Sequence, residues 1–175
     1  MAKRIAVVFA LLALSACSGI HFGGKRANAP EASSALKNVI LTDLKGNDIE
    51  FNKFVGKNVV VISFWATFCK PCKAEMPFLQ KMHEKYGTEG LTVIAISLDS
   101  PETEVMVRPY IERNHYTFKV AIDEQSEVAE QLNRKSVLPF LVVLNSCGAI
   151  AMKKDGFAVG DQPALEAKIR GLLGL

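Results

Sequence analysis

Two cysteines separated by two residues, Cys69 and Cys72, are the side chains of this sequence best suited to covalent chemistry. They follow an apolar run and open a stretch with helical spacing, so the first cysteine lies where a helix begins. Unpaired N–H groups and the positive end of the helix dipole favour a thiolate there, and a thiolate is the species that attacks a disulfide. Cys72, one turn further on, is close enough to resolve the mixed disulfide. The pair predicts a redox-active disulfide and no other cofactor.

A structural staple and a metal site explain the pair less well. A disulfide stabilises mainly by constraining a long loop, and Cys69–Cys72 closes almost none. A zinc site needs four ligands, usually two such pairs or one pair with two spaced histidines, and neither arrangement occurs in the sequence. No metal site is therefore predicted.

A third cysteine, Cys17, ends an N-terminal segment with the plan of a secretory signal. The basic "MAKR" precedes 12 apolar residues, 5–16, which are too few for a spanning helix of roughly 20. An ordinary secretory signal is one interpretation, but "LSAC" resembles the lipobox of bacterial lipoproteins, in which cleavage precedes an acylated cysteine. We predict a signal peptide at 1–16, lipidation at Cys17 and a flexible tether over 17–35.

The net charge and the predicted export limit the functions that the protein can have. The chain has 21 Lys and Arg against 18 Asp and Glu, and loss of Lys3 and Arg4 with the signal would leave it nearly neutral. No nucleic-acid-binding surface is predicted. Export implies an extracytoplasmic, periplasmic-face location with a lipid anchor in the membrane, and Ser18 after Cys17 favours the outer membrane in a diderm bacterium. In such an oxidising compartment a dithiol stays reduced only if a donor supplies electrons.

Residues 36–175 show the alternation of strands and helices expected of one α/β domain with a mixed sheet. A hairpin is predicted around Lys45-Gly46-Asn47. Pro77 is expected to bend or break its helix, and Pro109 to interrupt the next one. Ser100 and Asp161 are expected to cap helices. Strands are predicted at 58–65, 91–98, 118–123 and 140–144, and helices at 70–86, 101–114, 126–132 and 163–173.

The segment "VVVISFWATFCKPCKAEMP" resembles the active-site region of the thioredoxin superfamily, and most closely its TlpA/ResA-like branch. The resemblance covers roughly residues 36–175 and includes "VLPF" at 137–140. It implies a thioredoxin-like three-layer sandwich with a mixed central sheet, an N-terminal β-hairpin extension and a strand–helix insertion at about 97–123.

Glu75 is the predicted partner of Cys72. It lies three residues further along the helix, on the same face, where a carboxylate disfavours the thiolate and can move its proton. The resemblance implies that an acid here tunes the pair, and an ordinary exposed glutamate is the alternative. Ser63 stands where cytoplasmic thioredoxins carry a buried aspartate, so Glu75 is expected to substitute for it.

The resemblance also implies a substrate groove. Pro139 corresponds to a cis-proline packed against the disulfide, and the Leu138 backbone to the position that pairs with an incoming peptide. Trp65 is the third substrate-binding residue that it implies. The remaining cysteine, Cys147, is expected ~15 Å or more from the pair, as a spare thiol in a turn or in an intermolecular disulfide.

These features predict a monomeric, extracytoplasmic thiol–disulfide oxidoreductase that reduces disulfides in exported proteins, with cytochrome c maturation as one setting. Its expected partners are protein disulfides and a membrane thiol-reducing donor of the DsbD/CcdA kind. Two alternatives remain open. A peroxiredoxin-type thiol peroxidase would need a threonine at position 66, where the sequence has Ala66, and a Sco-like copper chaperone would need a longer Cys-x-x-x-Cys pair.

Overall fold

The computed structural model describes residues 36–133 and 135–175. The signal peptide predicted at 1–16, the lipidation predicted at Cys17 and the tether predicted at 17–35 lie outside these ranges, so those predictions stay predictions. Within the described ranges no helix has the length and apolar character needed to cross a bilayer.

The described strands form one mixed sheet in the order β2-β1-β5-β4-β3-β6-β7. Strands β3, β4 and β5 are parallel, and the other pairs are antiparallel. The bounds are β1 (Ile40–Asp43), β2 (Asp48–Glu50), β3 (Val59–Trp65), β4 (Leu91–Ser97), β5 (Lys119–Ile122), β6 (Phe140–Leu144) and β7 (Ile150–Asp155).

Helices cover both faces of the sheet, which confirms the three-layer prediction. The bounds are α1 (Lys70–Tyr86), α2 (Pro101–Glu104), α3 (Val107–Arg113), α4 (Glu127–Leu132) and α5 (Gln162–Leu173). Buried side chains of α1, α3 and α5 share one core cluster, whereas those of α4 share a second cluster with Phe51 on the opposite face.

Strand β3 shows why its sequence lacks a polar face. All seven of its residues are buried. Val61 and Trp65 belong to the α1 face, whereas Val60, Ile62 and Phe64 belong to the α4 face. Because side chains alternate along a strand, a central strand covered on both sides needs apolar residues throughout. Ser63 is the polar exception, and it faces α1.

The N-terminal hairpin and the insertion are both present as predicted. Gly46 has a φ of +84° in the β1–β2 turn, a conformation that favours glycine. The Asp43 carboxylate accepts hydrogen bonds from the backbone N–H groups of Lys45 and Asn47, at 2.7 and 2.8 Å. Strand β1 then pairs with β5 and extends the sheet.

The two helix interruptions predicted at prolines differ in the structure. Helix α1 continues through Pro77, which is exposed, so the carbonyl that lacks its N–H partner can be hydrated while the buried side of the helix packs on the sheet. The insertion helix is interrupted at Val105 and Met106 rather than at Pro109. Pro109 lies in the first turn of α3, where an N–H group would have no helical partner.

Ser100 and Asp161 are the N-cap residues of α2 and α5, as predicted, but neither caps its helix through its side chain. The Ser100 hydroxyl contacts the Glu102 carboxylate instead of the helix backbone. The Asp161 carboxylate accepts from Ala158 N at 2.9 Å and contacts Lys154 Nζ at 2.7 Å. Asp161 therefore holds the connection between β7 and α5.

Candidate active site

Cys69 and Cys72 form a disulfide at the start of α1, with their Cα atoms 5.3 Å apart. Cys69 is the N-cap residue, and its Sγ accepts a hydrogen bond from the Cys72 backbone N–H at 3.2 Å. The Cys69 residue is 8% exposed and Cys72 is fully buried. Solvent, and any partner, can therefore reach the disulfide only from the Cys69 side.

Two features of the first turn of α1 place positive charge near the disulfide. The first turn of α1 contributes unpaired N–H groups and the positive end of the helix dipole. Lys70 and Lys73 are exposed on the same turn, and Lys73 Nζ lies 5.2 Å from the centre of the Tyr110 ring. Both effects favour a thiolate on Cys69 once the disulfide is reduced.

Glu75 is buried beneath the first turns of α1, with 1% of its surface exposed. The Ser63 hydroxyl donates a hydrogen bond to Glu75 Oε2 at 2.5 Å, whereas Oε1 has no partner among the described residues. Burial raises the pKa of Glu75 to about 7, against the opposing effects of the Ser63 hydrogen bond and the Lys154 charge. The exposed-glutamate alternative is therefore wrong, and Ser63 and Glu75 are in direct contact.

The peptide bond between Leu138 and Pro139 is cis, as the resemblance implies. Pro139 is buried and Leu138 is half-buried. The approach to this bond is held by Asn133, whose side chain donates to Val137 O at 2.7 Å and accepts from Val137 N at 3.3 Å. On the other side, Pro139 O accepts from Gly156 N at 2.8 Å. Asn133 is thus a structural residue beside the cis peptide bond that sequence reasoning missed.

Trp65 does not reach the surface. It is fully buried, and its ring centre lies 5.5 Å from that of Tyr110. No surface of Trp65 is exposed in the disulfide form, and substrate contact through this residue stays a prediction. The aromatic side chain that faces solvent next to Cys69 is Phe68, which is 70% exposed.

A second buried carboxylate, Asp99, lies beside the loop that leads to Cys69. It accepts hydrogen bonds from the Thr67 backbone N–H at 2.8 Å, from the Thr67 hydroxyl and from the Ser97 hydroxyl at 2.7 Å. Sequence reasoning missed this residue. Its one signal was an acidic residue directly after a buried parallel strand, at the sheet edge where the cysteine loop also begins.

Cys147 lies at the other end of the sheet. It follows β6, whose last residue, Leu144, pairs with Val60 near the start of β3, whereas Cys69 follows the end of β3. Cys147 is disulfide-bonded and is not a free thiol, so the prediction of a spare thiol in this turn was wrong. Over residues 36–133 and 135–175, no three His, Cys, Asp or Glu side chains are grouped as ligands for a metal ion.

Comparisons with known proteins agree with this geometry. The profile described as the AhpC/TSA family matches residues 32–152, which is more than half of the chain. The thiol-disulfide oxidoreductase ResA of Bacillus thuringiensis subsp. konkukian is 39% identical over 98 residues, or 56% of this chain and 55% of ResA. ResA of Halalkalibacterium halodurans is 31% identical over 136 residues, or 78% of this chain and 74% of that relative.

One solved structure has a similar fold. It is a protein from Chlorobium tepidum assigned as the thiol:disulfide interchange protein DsbE, with a TM-score of 0.71 and 27% identity over 79% of this chain and 95% of that one. The first ResA relative is matched over about half of its length. By these matches and by its thioredoxin-like sheet, the chain belongs to the AhpC/TSA family and, within it, to the ResA-like group of thiol–disulfide oxidoreductases.

Proposed function

We propose that this protein is a thiol–disulfide oxidoreductase that reduces disulfides in other proteins. The observation that carries the proposal is the asymmetry of the Cys69–Cys72 disulfide. Cys69 lies at the accessible N-cap of α1 with an N–H group directed at its sulfur, whereas Cys72 is fully buried. The Cys69 sulfur can contact a partner protein, whereas the Cys72 sulfur can react only after Cys69 has formed the mixed disulfide.

The reaction begins with the reduced pair. The Cys69 thiolate attacks one sulfur of the substrate disulfide, a new S–S bond forms, and the other substrate sulfur leaves as a thiolate. Cys72 then loses its proton and attacks Cys69 Sγ, which releases the second substrate sulfur. Two electrons have passed to the substrate, and the protein holds the Cys69–Cys72 disulfide. An external dithiol must reduce it before the next cycle.

Glu75 is proposed to manage the proton of Cys72. A carboxyl group with a pKa of about 7 populates both protonation states near neutral pH. Its ionised form can take the Cys72 proton during resolution, and its protonated form can return one when the disulfide is reduced again. The orphaned Oε1 has no other described partner to compete for this role.

Substrates are proposed to bind across Leu138, Pro139 and Phe68. No hydrogen bond joins the Leu138 backbone to another described residue, so its N–H and C=O groups are available to an extended peptide. Phe68 offers an exposed apolar surface beside Cys69. Recognition through main-chain groups implies modest sequence selectivity, and it suits several exported proteins, with apocytochrome c among the candidates.

The location and the donor are further parts of the proposal. The signal pattern at 1–16 and the lipobox ending at Cys17 support an extracytoplasmic, lipid-anchored protein. Similarity to ResA and to a DsbE-assigned structure supports the same compartment. There the reduced pair requires a membrane donor of the DsbD/CcdA kind. Metabolic labelling with palmitate should mark the exported protein, and Cys17→Ser should abolish the label.

Disulfide transfer is tested with a model substrate. The fully reduced protein should convert one insulin interchain disulfide to two thiols per Cys69–Cys72 pair, and Cys72→Ser should instead stop at a mixed disulfide. Cys69→Ser should be inactive, and Cys147→Ser should act like the wild type. We expect a reduction potential closer to that of thioredoxin, about −270 mV, than to that of DsbA, about −120 mV. If the fully reduced protein leaves every model disulfide intact, the proposal fails.

A further inference from the structure

Asp99 is a buried carboxylate that binds the turn carrying Cys69. Its Oδ2 accepts from Thr67 N at 2.8 Å and from Ser97 Oγ at 2.7 Å, and its Oδ1 accepts from the Thr67 hydroxyl. Only 1% of the residue is exposed. The backbone N–H and the hydroxyl of Thr67 both donate to the Asp99 side chain. Asp99 itself comes after the neighbouring strand β4.

The turn held by Asp99 is directly connected to the attacking cysteine. Cys69 N donates to Ala66 O at 3.0 Å, so residues 66–69 form a single turn that contains Thr67. The preceding residue is anchored as well, because Leu98 N donates to Trp65 O at 2.9 Å. The residues after β4 therefore bind the segment between β3 and Cys69 at two positions, Trp65 and Thr67. The contact at Thr67 depends on Asp99.

The stabilisation of a Cys69 thiolate depends on where this turn places the sulfur. In the disulfide form the S–S bond itself keeps Sγ near the first turn of α1, where Cys72 N donates to it at 3.2 Å. After reduction that covalent restraint is gone. A hydrogen bond weakens steeply as its angle closes, so a loose turn would let Sγ leave the N–H group and the helix dipole.

We propose that Asp99 is a positioning residue for Cys69, which acts through Thr67 to keep the reduced sulfur over the N-terminus of α1. The inference rests on Cys69 being the attacking thiol of the proposed function. It concerns the reactivity of that thiol and not the choice of substrate.

A purely electrostatic action of Asp99 would have the opposite sign. A negative charge near Cys69 disfavours its thiolate, so removal of the carboxylate would lower the thiol pKa and speed alkylation at neutral pH. Loss of positioning raises that pKa and slows alkylation. The charged groups of the first turn, Lys70 and Lys73, and the buried Glu75 are unchanged in every variant used below, so the sign of the change identifies the mechanism.

The test measures alkylation of Cys69 by iodoacetamide as a function of pH, in the reduced purified protein, on the peptide that contains Cys69. Asp99→Ala should slow the reaction at pH 7 about tenfold and raise its pH midpoint. Thr67→Val keeps the shape of the side chain but removes the hydroxyl. It should also slow alkylation and raise the pH midpoint, by less than Asp99→Ala. Thr67→Ser, which restores the hydroxyl, should react like the wild type.

Asp123→Ala is the matched control. Asp123 is another buried carboxylate that follows a parallel strand, and its Oδ2 accepts from Val128 N and Ala129 N at 3.1 and 3.0 Å, at the start of α4. Its loss should destabilise the protein without moving the alkylation profile. An unchanged profile in Asp99→Ala, a lowered midpoint, or an equal effect of Asp123→Ala would each overturn the inference.

If Asp99→Ala does not fold, Thr67→Val still decides the test. A wild-type alkylation profile in Thr67→Val would by itself overturn the inference. Alkylation needs no disulfide substrate. A protein that fails to reduce any model disulfide but shows the Asp99 and Thr67 effects would therefore count against the proposed function and leave the positioning role in place.

Discussion

Glu75 and Asp99 are buried to the same extent, yet their hydrogen bonding differs. Each is 1% exposed. Asp99 accepts three hydrogen bonds through both of its oxygens, whereas Glu75 accepts one and leaves Oε1 without a described partner. A buried carboxylate that lacks partners resists ionisation, and one that is surrounded by donors holds them in place. The comparison indicates that Glu75 carries a proton for Cys72 and that Asp99 positions the turn before Cys69.

The largest expected effect concerns folding stability and Glu75. The pKa of Glu75 in the folded protein, about 7, lies above the ordinary value of 4.5. The stability that this group contributes is therefore complete below pH 4.5 and is lost as the pH rises through about 7. That loss is about 3 kcal/mol for a shift of this size. Glu75→Gln, which cannot ionise, should gain about this much relative to the wild type between pH 4.5 and pH 7.

Urea unfolding of the oxidised protein at a series of pH values measures this difference. Groups that titrate in both proteins cancel in the comparison. A difference between Glu75→Gln and the wild type that stays constant with pH would show that Glu75 does not titrate in this range, and the contrast with Asp99 would be lost.

Glu75 should also control the second chemical step and leave the first unchanged. Reduced protein mixed with Ellman's reagent releases one thiolate when Cys69 attacks and a second when Cys72 resolves the mixed disulfide. Glu75→Gln should slow the second release about a hundredfold at pH 7, because Cys72 loses its proton acceptor. Asp99→Ala should slow the first. Stopped-flow absorbance separates the phases, and equal slowing of both by either variant would contradict the division of roles.

The sequence predicted Glu75 but not Asp99, because the contacts of the two residues span different separations along the chain. Glu75 lies one turn from Cys72 on a helix whose predicted bounds, 70–86, agree with the structure, so helical spacing alone placed it. Asp99 binds Thr67 across 32 positions of sequence. Such a contact depends on the parallel pairing of β3 with β4, which local patterns do not specify.

The other differences have similar causes. The resemblance implied that Trp65 contacts substrate, whereas in the structure its ring is fully buried against Tyr110 of the insertion helix α3. Pro109 was read as an interruption because the start of α3 was not anticipated. Strands with continuous apolar runs, such as β3, were placed correctly because burial on both faces leaves a signal within the strand itself.

Asp99 should be harder to replace than Glu75 in terms of stability. In Asp99→Asn, one carboxylate oxygen becomes an NH₂ group that faces hydrogen-bond donors, so at least one donor of Thr67 or Ser97 is left unsatisfied. We expect a loss of about 2 kcal/mol at pH 7, the opposite sign to Glu75→Gln. Thermal or urea unfolding measures it, and Ser97→Ala, which removes a single donor, should lose less. A stabilised Asp99→Asn would reverse the comparison.

The smallest expected effect comes from Lys154, whose positive charge lowers the pKa of Glu75. Lys154 lies on β7 and already contacts Asp161 at 2.7 Å, so its influence on Glu75 is partly screened and should stay below about 1 kcal/mol. Lys154→Met should raise the pKa of Glu75 further, which carbon NMR of labelled glutamate side chains can detect. Lys135→Met is the control, because it removes a charge that pairs with Asp155. A shift of equal size in Lys135→Met would mean that Glu75 responds to net charge rather than to Lys154, and a lowered pKa in Lys154→Met would remove this lysine from the environment of Glu75.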